Sequence, residues 1–306
     1  MISLALTRRA ANSPSLAIPD TEQRRISRSP DHLQRIRQSG CRLPDWPAIR
    51  GARLIRRLGA GPTSDSYLIA LGGLHYALRV DRRAALRLGL TRSGELALLR
   101  LVRRKGFGPM PVAADVRRGL LLLAYLPGHA LTNRSLQASS VGRKLGGLLA
   151  RLHQLVPVSG VGSLPRLDLL EAAARYRDLA RSREADRYAV EISCLLRGLD
   201  TTTRVPTHND LHAGNIVVNP SGALKLIDWE YAALGPPGFD MAVFLSQTCM
   251  NPTAREGFFS AYEAARGQSM KETLPRWLKV AGLIDRLWNM AAESHKVSPQ
   301  RRLVSN

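Results

Sequence analysis

The residues of this chain whose types and spacing could do chemistry are Asp210, Asn215 and Asp228, within the stretch HNDLHAGNIVVNPSGALKLIDWEYA at 208–232. Two short β-type runs, Ile216 to Val218 and Ala223 to Ile227, separate Asn215 from Asp228 and are joined by Asn219-Pro220-Ser221-Gly222. That tetrapeptide has the composition of a tight turn, so the runs read as an antiparallel hairpin, whose open ends come together. Asn215 just before the first strand and Asp228 just after the second therefore face each other, and two oxygen ligands at one point suit magnesium. Asp210 stands five positions before Asn215. This is the spacing between a proton-accepting Asp and a metal-binding Asn in loops that transfer a phosphoryl group from a nucleotide. His208 takes the place of the structural histidine of such a catalytic loop. Taken singly, an Asp or Asn in a turn reads as a cap or an Asx turn; the joint spacing carries the chemical reading. A zinc cluster of His208, Asp210 and His212 is the competing arrangement, but no further His or Cys group completes four-coordination.

The elements that must position these groups begin near Ile49. Leu54 to Leu58, then Gly59 to Ser66, then Tyr67 to Ala70 read as strand, small-residue turn, strand, and a third strand is expected at His75 to Val80. Gly59, Gly61, Thr63 and Ser64 are candidates for holding nucleotide phosphates, because a loop of Gly and hydroxyl residues can bring N–H groups close to phosphate oxygens. The loop is neither a Walker A sequence nor a GxGxxG fingerprint, and Pro62 removes one donor. Arg79 falls where a nucleotide-dependent enzyme carries a strand lysine for the phosphates. Its guanidinium keeps the charge and grips bidentately. The periodicity predicts a helix over 92–104 with Glu95 as the partner of Arg79. Leu120 to Tyr125 reads as a buried strand ended by Pro127-Gly128, the linker between lobes. Beyond it, helical spacing covers 140–155, 167–180, 188–199, 241–248, 254–266 and 277–292.

Together these elements give an α+β class, a protein-kinase-like two-lobe fold with a small β-rich lobe at 47–127 and a larger helical lobe at 128–306 that holds the catalytic loop. Residues 1–46 are rich in Ser, Pro and Arg and read as a disordered basic tail. Among 306 residues the longest aliphatic run is far short of the ~20 that a membrane span needs. The three cysteines, Cys41, Cys194 and Cys249, form no close pair, so neither a disulfide framework nor a structural zinc site is indicated, and a reducing cytoplasm is the natural compartment. The net charge of +21 arises from 45 basic residues, 39 of them arginine, against 24 acidic. Residues 1–58 hold 12 Arg and 4 acids, a balance of +8, which leaves +13 spread over the rest without interleaved aromatics. Specific nucleic-acid binding is therefore disfavoured, although adhesion to polyanions at low salt follows from the charge.

HNDLHAGN at 208–215 and LIDWEYA at 226–232, with Tyr125-Leu126-Pro127-Gly128 and Leu149-Ala150-Arg151-Leu152-His153, resemble the aminoglycoside phosphotransferase and choline kinase family over about residues 49–288. The resemblance implies a kinase-like fold and transfer of the γ-phosphoryl group of ATP, with magnesium, to a hydroxyl of a small molecule. It makes Asp210 the catalytic base, Asn215 and Asp228 the magnesium ligands, and Arg79 the basic strand residue. The Asp-Trp-Glu-Tyr form at 228–231 resembles the choline, ethanolamine and thiamine kinase branch. A cationic alcohol is the expected acceptor, since aromatic faces and carboxylates stabilise such a group. Glu230, Tyr231, Asp240 and Trp288 are the candidates to supply them. An aminoglycoside is the alternative acceptor, and no acidic cluster stands out in the C-terminal half for it. The alternative of another class is a non-catalytic nucleotide- or nucleic-acid-binding protein.

Overall fold

The computed structural model describes residues 43–156 and 163–294. Most of the expected tail, with Cys41, lies outside the described residues. No helix among them is long and apolar enough to cross a membrane. The chain divides into two compact units, residues 1–82 with 109–128, and residues 83–108 with 129–306.

The first unit is one antiparallel sheet of β1 (Arg53–Ala60), β2 (Ser64–Leu71), β3 (Leu74–Asp81), β4 (Pro111–Asp115) and β5 (Leu120–Ala124), in the order β1-β2-β3-β5-β4. Trp46, Ile49, Ile69, Leu78, Leu120 and Leu122 form its apolar core. Every residue of β5 is buried, the expected fate of an unbroken apolar run. The edge strand β4 has no alternating pattern in Pro-Val-Ala-Ala-Asp and was invisible in the sequence. Gly72 and Gly73, at φ +57° and +78°, form the two-residue turn between β2 and β3 that requires a left-handed backbone at both positions. Between β1 and β2 the ladder runs further than the sequence suggests. Gly59 pairs with Ser66 and Ala60 with Asp65, leaving Gly61 to Thr63 as the loop. Asp65 draws these strands together, bridging Arg57 across the ladder and Arg82 at 2.9 Å.

The second unit starts with α1 (Ala84–Arg87) and α2 (Arg92–Arg103), then continues with β6 (His129–Ala130), α3 (Ser139–His153), α4 (Leu169–Ala180), α5 (Arg183–Leu196), β7 (Val205–Thr207), β8 (Ile216–Val218), β9 (Leu224–Leu226), β10 (Ala233–Gly235), α6 (Pro237–Ser246), α7 (Pro252–Arg266) and α8 (Leu274–Ser294). Residues 83–108, which the sequence places with the first lobe, fall in this unit by their contacts: the Leu226 N–H donates to the Phe107 carbonyl at 2.7 Å and Lys225 donates to the Gly106 carbonyl. Side-chain caps fix several helix starts. Thr91 accepts from Gly94 N–H, Asp168 from Leu170 and Glu171 N–H, Ser182 from Ala185 N–H, and Asn251 from Ala254 N–H. The Ser182 cap explains why α5 begins at Arg183 rather than at Tyr188. Pro237 at the first turn explains why α6 begins before Met241.

Helices α3 and α7 touch backbone to backbone. A Cβ on Gly142 would lie 2.1 Å from the Ala254 carbonyl oxygen, and one on Gly146 would lie 2.1 Å from that of Phe258. Only glycine permits that approach. The contact sets the height of His153, at the end of α3, against Tyr262 on α7.

Candidate active site

The catalytic segment hangs from two small ladders. β7 pairs with β10, so that Thr207 and Ala233 are opposite, and β8 pairs with β9, so that Ile216 and Leu226 are opposite. The expected hairpin is thus present, and the Ile227 N–H donates to the Asn215 carbonyl at 3.0 Å. Asp228 follows directly, with φ +66°. A non-glycine residue in that region costs energy and persists where its surroundings over-determine it. Asn209, at φ +61°, is the second such residue in this segment.

The side chains of the 208–215 loop lock it internally. Both donors of the Asn215 amide are committed to Asp210, at 2.8 Å to its carbonyl and 3.2 Å to its Oδ2. The amide oxygen of Asn215 therefore faces away from Asp210. His208 is fully buried, its Nε2 donating to the Ile227 carbonyl at 2.9 Å and its ring packing 4.7 Å from that of Trp229. It staples the loop to the end of β9. Burial pushes its pKa below the ordinary value, against the fields of Asp240 and Asp228. His212 caps the 213–215 turn, its Nδ1 accepting from Gly214 N–H at 3.1 Å. Both imidazoles are thus used in holding backbone. No group of three or more His, Cys, Asp or Glu that could hold a metal is present among the described residues.

Asp240 differs from its expected role. It is fully buried, with Oδ2 accepting from the His208 N–H at 3.1 Å and from His153 Nε2 at 3.0 Å, and Oδ1 from the Asn209 N–H at 2.7 Å. A substrate cannot reach it; it is the anchor beneath the loop. Burial alone would raise its pKa, but hydrogen bonding and charge from His153, with His208 and the Asn209 N–H, hold the carboxyl below the ordinary range. His153 is held in turn by a hydrogen bond between its Nδ1 and the Tyr262 hydroxyl at 2.8 Å. Sequence reasoning missed this relay because its members lie on α3, α6 and α7, 87 and 109 positions apart.

Glu230 and Tyr231 line a cavity of about 170 Å³ with Glu95, Asp168, Glu171, Tyr176, Arg166 and Arg175. The sequence shows no acidic cluster in its C-terminal half; the fold makes one by gathering carboxylates from α2, α4 and the segment after β9. Burial first, then the negative fields of Glu230 and Asp210 among others, pushes the Tyr231 phenol far above its usual pKa. The Asn209 amide donates to the Tyr231 carbonyl at 2.9 Å, tying the loop to this wall. Trp288 meets the Tyr231 ring edge to face, with centroids 6.3 Å apart. Glu95 is buried and ion-paired with Arg92, one turn earlier on α2. In the sheet unit, Arg79 is buried and its Nη2 donates to Ser64 Oγ at 2.9 Å. Thr63 is buried too, and its carbonyl accepts from the Arg82 N–H at 2.7 Å. Cβ atoms added at Gly59 would meet nothing within 4 Å, and at Gly61 only ordinary contacts at 3.7 Å or more. The protein's own packing does not demand glycine at either position.

The profile described as "Phosphotransferase enzyme family" matches residues 54–278. The chain belongs to that family. Among solved structures, this phosphotransferase is similar to the choline kinase LicA from Streptococcus pneumoniae, with a TM-score of 0.66 and 21% identity over 76% of this chain and 83% of that one. It is also similar to LicA in complex with AMP, with a TM-score of 0.68 and 20% identity over 86% of this chain and 89% of that one. These likenesses establish the protein-kinase-like fold. Among curated relatives, thiamine kinase of Escherichia coli is 36% identical over 125 residues, 41% of this chain and 43% of the relative. The chain spans less than half the length of the curated relatives it matches.

Proposed function

We propose that this phosphotransferase moves the γ-phosphoryl group of ATP, with magnesium, to the hydroxyl of a small cationic alcohol of the choline, ethanolamine or thiamine type. The observation that carries the reading is the Asn215 amide clamped to Asp210 on one side of the hairpin while Asp228 leaves the other. Asp210 accepts the proton of the acceptor hydroxyl as its oxygen bonds the γ-phosphorus and the bond from that phosphorus to the leaving ADP oxygen breaks. His208 keeps the loop in place and does not exchange protons. The donor set fits magnesium: the amide oxygen of Asn215 is turned away from Asp210, and Asp228 brings a carboxylate, both hard oxygen ligands. When bound, the ion offsets the charge of the triphosphate.

Arg79 is assigned to the phosphates, with its fork oriented by Ser64. Gly59, Gly61 and Thr63 are assigned to the same ligand, since glycines that the fold does not need leave room for one. For the acceptor, Glu230, Tyr231 and Trp288 supply a carboxylate and aromatic surface, joined by Tyr176 and the carboxylates of α4. The cavity is smaller than the ~300–1,000 Å³ usual for drug-sized ligands, which favours a small alcohol over a multi-ring aminoglycoside. The thiamine kinase and choline kinase likenesses, and the AMP complex of LicA, point the same way.

The test is ADP release by the purified chain over choline, ethanolamine, thiamine and kanamycin, with and without magnesium. Magnesium-dependent turnover with one of the first three is expected. Turnover with kanamycin alone selects the antibiotic reading. Salt-sensitive RNA binding with no turnover on any alcohol selects the non-catalytic one.

A further inference from the structure

Away from the candidate active site, a cleft of about 350 Å³ opens between the end of α2, the outer face of α3 and the turn of the β8–β9 hairpin. Lys105, Lys144, Arg151 and Lys225 line it, over an apolar floor that includes Phe107, Leu148 and Leu224. No carboxylate lines it, unlike the cavities around Glu230 and Asp168. The absence extends beyond the lining: residues 100–108, 139–153 and 216–227 contain no Asp or Glu at all. Intrahelical neutralisation of Lys144 or Arg151 is therefore impossible, since no acid stands three or four positions away.

The lysines make the arrangement harder to ascribe to a generally basic surface. This chain has 39 arginines and six lysines, and three of the six meet at this one cleft. Complementing a helix C-terminus is an ordinary task for a cation and accounts for Arg151, in the last turn of α3. It does not account for Lys144, which sits in the first half of α3, or for placing Lys225 on a strand. Lys225 is also held in position by its bond to the Gly106 carbonyl, so one wall of the cleft is built.

We propose that this cleft is a second binding site, separate from the phosphoryl-transfer residues, for a phosphorylated small molecule with an apolar body. Converging cations in an acid-free, partly low-dielectric concavity focus a positive field on an anion. Lysine ammonium groups bind phosphate as point charges and arginine grips it as a fork. The apolar floor distinguishes an organic phosphate from the inorganic ion, because only the former has surface to remove from water. The inference does not depend on the identity of the acceptor or on turnover.

The scarcity of lysine supplies the test. Amine-reactive footprinting read by mass spectrometry is performed on the whole chain with phenyl phosphate or inorganic phosphate as probe, at about 0.15 M ionic strength. Protection of Lys105, Lys144 and Lys225 is expected, with Lys271 and Lys279 unchanged as internal controls. Half-protection is expected at about tenfold lower phenyl phosphate than inorganic phosphate. Lys144→Glu and Arg151→Glu should each raise the phenyl phosphate concentration needed by about tenfold while the thermal midpoint stays unchanged. Equal protection of all five lysines overturns the proposal in favour of diffuse charge screening. Equal potency of the two probes overturns the organic part of it, and protection by an RNA oligomer but by neither small phosphate overturns it in favour of a polyanion surface.

Discussion

The ribbon β1–β2 and the segment 208–231 both carry residues assigned to a phosphorylated ligand, yet they are held in opposite ways. The ribbon is a backbone ladder with an open top: Gly59 and Gly61 have space around them, and its acid, Asp65, lies at the surface between Arg57 and Arg82. The 208–231 segment has little ladder of its own. Side chains fix it, with Asp240 binding two loop N–H groups, His208 binding Ile227, and Asn215 binding Asp210, and it contains two non-glycine residues in the left-handed region. A ladder can offer N–H groups and room, whereas acid–base chemistry needs one carboxylate held at one place. The cost of holding it is met by buried hydrogen bonds in neighbouring helices.

The sharpest way to separate the two regions is Asp210→Asn. It removes the proton acceptor and leaves Asn215 and Asp228 in place, so kcat for phosphoryl transfer should fall about 10²–10⁴-fold while nucleotide affinity by calorimetry is retained. Normal turnover would break the assignment. Asp240→Ala comes next. It strips a buried carboxylate from His153 and from two N–H groups, and chemical denaturation should show a loss of about 3–5 kcal/mol. A loss near zero would mean that the loop holds itself.

Acid sensitivity should distinguish the regions more finely. Asp240 and Asp65 both have carboxyl pKa values below the ordinary one, so each contributes stability above the unfolded value of about 4 that is lost as pH falls through the folded pKa. For Asp65 the leading cause is the hydrogen bond from Arg82, with burial opposing it, at a site open to solvent ions. The acid limb of Asp65→Asn should therefore differ from wild type at about 0.01 M salt and converge with it at about 1 M, whereas that of Asp240→Asn should differ at both. Gly59→Ala is the smallest perturbation. With nothing within 4 Å of the added Cβ, unfolding free energy should change by no more than about 0.5 kcal/mol, and a larger loss would show that the ribbon is packed after all.

The regions also differ in how much of them the sequence disclosed. The 216–227 hairpin is legible because two short β-type runs, Ile216 to Val218 and Ala223 to Ile227, flank a turn of four residues, and the meeting of Asn215 with the strand before Asp228 follows from its topology. Strands β2, β3 and β5 are legible through the Gly72-Gly73 turn and an unbroken leucine run, but their order in the sheet is not. The edge strand β4 is not legible, since Pro-Val-Ala-Ala-Asp has no period, and Gly59 to Ser66 reads as loop because small residues do not reveal a cross-strand ion pair. Asp240 reads as a substrate contact in the sequence alone, since one acidic residue at a helix start carries no sign of what is packed beneath it. The carboxylates around Glu230 and the lysines around Leu148 are each spread over more than a hundred positions, and only the fold brings them together.

The crossing of α3 and α7 has an outcome that the catalytic residues alone do not suggest. Gly142 and Gly146 act as a spacer between two rods, one ending in His153 and the other bearing Tyr262. A single methyl added at either glycine would push the rods apart and lift the imidazole from the carboxylate that tethers the loop. Substitutions wholly without polar atoms, remote in sequence from Asp210, should thus be felt as mistuned chemistry before they are felt as unfolding.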